Sequence, residues 1–198
     1  MNPTLGTDGS VEAHTVVGMP TEAFLAWLAK GHGGEYRWEL VDCAPRRIEP
    51  RGARCGTVIG NVHGLLRQSL RDRPCHVLMS GLYVEPRPNV LRLPDILVEC
   101  GASAMDDPIA CDPRVVVAVN PSGRPRWDSY EMLEDYWLVP SISHVVQIDA
   151  WRPNIALLTR GEGGWHPNRY DDLEATLRLS AIDADLPLAE IYEDVTFE

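Results

Sequence analysis

The chain has 198 residues, 44% of them apolar, and a formal net charge of −11. That suffices for one domain with a sizeable core, and no apolar run approaches the roughly 18 residues that span a bilayer. The acidic excess sits in residues 128–198, with 15 acids against four arginines. Residues 1–127 hold 14 of each sign, so nucleic acid is repelled except where arginines cluster.

The opening MNPTLGTDGSVEAH has neither a basic start nor an apolar core, so it is expected to be neither a signal peptide nor an anchor. Residues 1–18 are expected to form a flexible leader, and residues 19–198 a single domain. MPTEAFLAWLAKG predicts a short helix ended by Gly31, with Phe24, Leu25 and Leu28 on one face. YRWELVDC predicts a strand, with RRIEP as its hairpin partner across an Ala44-Pro45 turn.

Val58, Val62, Leu65, Leu66 and Leu70 keep the 3.6-residue period of a helix about four turns long. CHVLMSGLYVEP and VLRLPDILVEC predict two strands joined at Pro-Arg-Pro-Asn. VVVAVNPSG predicts a strand buried on both faces, without a charge between Arg114 and Arg124. WDSYEMLEDYWLV predicts a helix with Asp128 as cap, Glu131 as the acidic member of a capping box, and Trp127 with Met132 as a staple. HVVQIDAW and NIALLTR predict a hairpin turning at Arg152-Pro153. GEGGW follows as a turn, LEATLRL as a strand and PLAEIYEDV as a terminal helical turn. This order points to a mixed α/β (α+β) domain around one central sheet.

Five widely spaced cysteines without a CxxC are expected to be reduced, buried thiols of a cytoplasmic protein. Arg46, Arg47, Arg51, Arg54, Arg67, Arg71 and Arg73 crowd one interval, as a nucleic-acid patch or as a solvated face. Of the 18 basic residues 17 are arginine, and Lys30 is the one lysine. Phosphate-loop, dinucleotide, serine-elbow and zinc-protease motifs are absent, and the six histidines form no ligand-like pair. In LPDILVEC, Pro94 belongs at a bend, and Asp95 opens a strand on the same side as Leu97 and Glu99. Two acids on one strand face suit a hard divalent cation, so Asp95 and Glu99 are candidate metal ligands.

The run MPTEAFLAWLA, YRWELVDC, a helix with IGN, LPDILVEC, VVVAVNPSG, WDSYEMLEDYWLV and PLAEIYEDV resembles a large family of small bacterial restriction endonucleases within the PD-(D/E)XK nuclease superfamily. The resemblance covers roughly residues 19 to 195. It implies a restriction-endonuclease-like core, a mixed sheet flanked by helices, and phosphodiester hydrolysis assisted by Mg2+ or Mn2+ with DNA as substrate. By position, Asp95 matches the family's Pro-Asp and Glu39 its upstream glutamate, making these two the expected catalytic residues. Ala118 stands where the second core acid belongs, Met132 where the lysine belongs, and Cys55 at the place of a histidine. The resemblance therefore implies a nuclease relative with a weak or inactive site, or alternatively a non-catalytic binding or regulatory subunit. It also implies a homodimer, for which Trp137, Trp151 and Trp165 offer aromatic surface.

Overall fold

The computed structural model describes residues 18–101, 106–121 and 127–197; the side chains of 127–130 are outside that description. The expected leader therefore lies outside the described residues apart from Gly18, and so does the capping role expected of Asp128.

Helix α1 (Thr21–Ala29) carries Phe24 into a small core with Leu40, Tyr83, Leu91 and Leu93. Its first amide is met from across the fold, where Thr21 N–H donates to Asn89 Oδ1 at 3.1 Å. Strands β1 (Trp38–Val41) and β2 (Ala44–Arg47) form the first hairpin. The turn falls at Asp42 and Cys43, with φ of 48° and 63°, and not at Ala44-Pro45 as expected. Two successive left-handed residues match the twist of a two-residue hairpin, and Pro45 is tolerated because β2 is an edge strand.

Helix α2 (Ala53–Ser69) is the long helix that the period predicted, burying Val58, Val62 and Leu66. The two strands expected next are four. β3 (Cys75–Met79) and β6 (Ile96–Cys100) belong to a six-stranded sheet; β4 (Val84–Arg87) and β5 (Val90–Arg92) belong with β1 and β2 to a four-stranded one. The chain crosses between sheets at Ser80–Tyr83 and at Leu93–Asp95, where Pro94 and the left-handed Ser80 (φ 46°) interrupt the ladders.

The large sheet runs β10-β9-β8-β7-β6-β3. Only β7 (Pro113–Asn120) and β8 (His144–Asp149) are parallel, joined through α3 (Trp127–Trp137). β9 (Asn154–Gly161) and β10 (Gly164–Tyr170) finish it as a meander. β10 has no apolar alternation, being an exposed edge, and so it was not legible as a strand. β11 (Thr176–Leu179), β12 (Ala184–Pro187) and α4 (Leu188–Ile191) close the chain.

β7 is buried on both faces for a simple reason. Val115, Val117 and Val119 face α2, α4 and the β11–β12 pair, while Val116 faces Leu133 and Tyr136 of α3. Each such side chain contributes about 1.5–3 kcal/mol on burial. No helix among the described residues is long and apolar enough to cross a membrane.

The cysteines depart from the expectation. Cys75 and Cys100 oppose each other in the β3–β6 register with Cα atoms 4.0 Å apart, and they form a disulfide. Cys111 is exposed, Cys43 partly so, and only Cys55 is a buried thiol. The thiol argument for a reducing compartment therefore fails for the bonded pair.

His144 is buried, its Nε2 accepting the Ala181 N–H at 3.0 Å while Nδ1 faces Thr159 Oγ1 at 3.2 Å. The ring is thus neutral, and burial lowers its pKa below 6.5. Above that value both folded and unfolded chains keep the ring neutral. As pH falls through it, the unfolded chain takes a proton that the fold refuses, and stability drops until the folded pKa is passed. Urea unfolding from about pH 7.5 to about pH 5 should lose stability, and His144→Gln should flatten this component of the slope.

Candidate functional site

A cleft of about 480 Å³ opens at the junction of the two sheets, with Glu39, Asp95, Ala118 and Met132 all on its walls. Chain topology brings them there. Asp95 follows Pro94 where the chain leaves β5 for β6, and its amide donates to Val117 O of β7 at 3.0 Å. Ala118 is thereby its neighbour on the next strand, with Gln147 of β8 as its parallel partner. Glu39 comes from β1 and Met132 from α3.

Asp95 is 1% exposed, so its charge must be met inside the fold. Arg37 Nη1 lies 3.1 Å from Oδ1 and Arg51 Nη2 3.1 Å from Oδ2; Val119 N–H donates to Oδ2 at 2.8 Å. Arg51 also donates from Nη1 to Val119 O at 2.6 Å, gripping both the carboxylate and the strand end. Glu39 is committed as well: Leu93 N–H donates to Oε1 at 2.9 Å, and Arg92 Nη1 to Oε2 at 3.3 Å. Burial pushes the Glu39 carboxyl up, against the pull of Arg92 and the Leu93 N–H. Arg92, itself 1% exposed, donates from Nε to Asp135 Oδ2 of α3 at 2.6 Å. One guanidinium thus joins β5, β1 and α3.

Glu99 is not brought to this cleft. Its Oε1 accepts the amides of Cys111 and Asp112 at 2.5 and 3.0 Å, fixing the segment that leads into β7. A break in the β6–β7 register between Val98 and Glu99 accompanies this turn away. Cys55, at the matched histidine place, is buried in the α2 core, and burial raises its thiol pKa.

A divalent cation does not fit the side chains present. The oxygens of Asp95 and Glu39 already face guanidiniums and amides, Ala118 has none to offer, and Asp149 is held by the Trp151 N–H and Arg152 Nε at 2.8 Å each. Among the described residues no group of three or more His, Cys, Asp or Glu comes together in a metal-holding arrangement. The cleft is instead rich in arginine: Arg46, Arg47, Arg51, Arg92, Arg152 and Arg169 face it, against Glu39, Glu49, Asp95 and Asp149. That balance of +2 stands inside a chain of −11.

The arginine interval in the sequence divides in space. Arg46, Arg47 and Arg51 reach the cleft, Arg54 stacks over Trp151, and Arg67, Arg71 and Arg73 line a separate depression at the far end of α2. The functions of Arg37 and Arg92 were not read from sequence, although a lone arginine within the apolar VLRLPDILV was a signal that a buried acid must be near.

Removing the Asp95 carboxylate leaves Arg37 and Arg51 facing each other without a counter-charge. Asp95→Ala should lose about 3–5 kcal/mol in urea unfolding, and Asp95→Asn, which keeps an acceptor for Val119 N–H, should lose less.

No family model matches the sequence, and no curated protein matches it. Among solved structures the chain is similar to one described as a "putative nuclease belonging to DUF820" from Anabaena variabilis, with a TM-score of 0.67 and 8% identity, over 80% of this chain and 91% of that one. At that identity the likeness speaks of architecture. The mixed sheet flanked by helices is the restriction-endonuclease-like fold.

Proposed function

We propose that the chain is a nuclease-like protein that binds phosphate-bearing nucleic-acid ligands in its cleft without hydrolysing them. The pinning of Asp95 supports this reading most directly. Each of its carboxylate oxygens faces a guanidinium at 3.1 Å, so an entering Mg2+ or Mn2+ would have to displace two positive side chains. Met132 brings no charge to stabilise a developing oxyanion, and an arginine is a poor proton carrier at neutral pH. Glu131, which precedes Met132 on α3, pairs with Arg46 at 3.3 Å. Hydrolysis by relocated carboxylates would therefore have to break existing pairs.

The test is nicking of supercoiled DNA with Mg2+ or Mn2+, alongside thermal melting with the same ions. No metal-dependent nicking and no metal-induced rise in melting temperature are expected. Metal-dependent nicking that Asp95→Asn abolishes would overturn the reading.

Pairing of two copies belongs to the same proposal. Trp137 and Leu138 are 37% and 56% exposed, and Trp165 stacks on Trp137 with ring centroids 6.3 Å apart. Trp151 lies at the opposite end of β9, its Nε1 donating to Pro121 O, so it does not extend this patch. Light scattering at micromolar concentration should give twice the chain mass, and Leu138→Asp should halve it. A monomeric wild type would remove the homodimer.

A further inference from the structure

Resting on the non-hydrolytic reading of the cleft, we infer that its ligand is one nucleotide-sized phosphorylated molecule, held without metal by arginines at the rim and an apolar floor. Size is the first observation. A cavity of about 480 Å³ falls in the range of small-molecule pockets, which run from roughly 300 to 1,000 Å³. A duplex gains its affinity from many phosphates along a positive track. Here the walls built by α3 and by β8–β10 come from residues 128–198, where 15 acids stand against four arginines. Two of those four, Arg152 and Arg169, nevertheless line the cleft. On that side, positive charge is thus concentrated inside the cavity and scarce around it, which favours a compact anion over a polyanion.

The lining also divides by chemistry. Ile48, Leu93, Ala118 and Ala156 offer apolar surface suited to a base or sugar, and a glutamate at position 118 would occupy part of that floor. Gln147 sits beside Ala118 in the β7–β8 register and lines the cleft, and its side-chain amide makes no hydrogen bond among the described residues. Its carboxamide can both donate and accept, as a base edge requires. Arg46 and Arg47 are solvent-facing at the mouth, one in an exposed pair with Glu131 and one over the Tyr36 ring at 4.7 Å. Such loosely held guanidiniums can turn to a phosphate at little cost. Asp95, meanwhile, neutralises much of the charge of Arg37 and Arg51. Its carboxylate weakens the site for an anion, so neutralising it should strengthen anion binding. The opposite holds for a carboxylate that carries a metal.

Calorimetric titration in EDTA tests this with adenosine 5′-monophosphate, adenosine, inorganic phosphate and blunt duplex DNA as probes. The monophosphate should bind more tightly than adenosine or phosphate alone. Arg46→Gln with Arg47→Gln, both at the surface, should weaken it on the order of tenfold. Ala118→Leu should abolish binding by filling the floor, and Asp95→Asn should tighten it. Binding unaffected by Ala118→Leu would overturn the placement in this cavity, as would weaker binding by a folded Asp95→Asn. Duplex binding without any monophosphate binding would overturn the ligand class while leaving the non-hydrolytic reading in place. Monophosphate binding that appears only with Mg2+ would overturn the metal-free site and the non-hydrolytic reading together.

Discussion

A carboxylate taken out of water must be met by positive charge, and in this fold that requirement centres on Asp95. The aspartate sits where the chain leaves the small sheet for the large one, almost without exposure. Its two guanidinium partners come from the residue before β1 and from the approach to α2. Satisfying one side chain therefore sets the distance between both sheets and the long helix. Arg92, three residues earlier, meets the mirror-image requirement, a buried cation held by Glu39 and Asp135. Breaking either pair leaves a charge stranded, which costs far more than the intact pair contributes.

The same geometry governs what the cleft can do. A buried aspartate can be neutralised by a metal ion or by side chains, and each solution excludes the other at the same oxygens. The residues around it agree with the second solution: Ala118 offers no oxygen, Met132 carries no charge, and arginines stand on either side of the carboxylate. Each alone has several explanations. Together, under the function proposed above, they present positive charge to an incoming anion.

Much of the fold was legible because the signals were local. The period of Val58, Val62 and Leu66 gave α2, and the unbroken valines of β7 gave a strand covered on both faces. The hairpin at Arg152-Pro153 carried its own turn. Where the readings fell short, the cause was tertiary. Pro94 and Ser80 mark strand changes between two sheets, which no pattern within one strand reveals, so two strands were read for four. β10 earns its place by pairing with β9 and not by burying apolar groups. At the site, motif order correctly brought Asp95, Glu39, Ala118 and Met132 to one cleft, because those positions are fixed by the fold itself. The partners of Asp95 were not legible. An arginine's reach is long and its anchor can be far away in sequence, as Arg37 and Arg51 both are. Glu99 matched the expected strand face, yet a break in register and two neighbouring amides assign it to a turn.

The near absence of lysine gives the cleft a chemical permanence. Amine-directed acylation finds a single side chain in this sequence, Lys30, at the C-terminal end of α1 and outside the cleft lining. Every cation facing the cleft is a guanidinium, which keeps its proton at any pH a cell reaches and is not a target of lysine acetylation. The positive face of this protein is therefore set when the chain is made. It can be covered or displaced by a competing anion, but lysine modification and ambient pH give no means of switching it off.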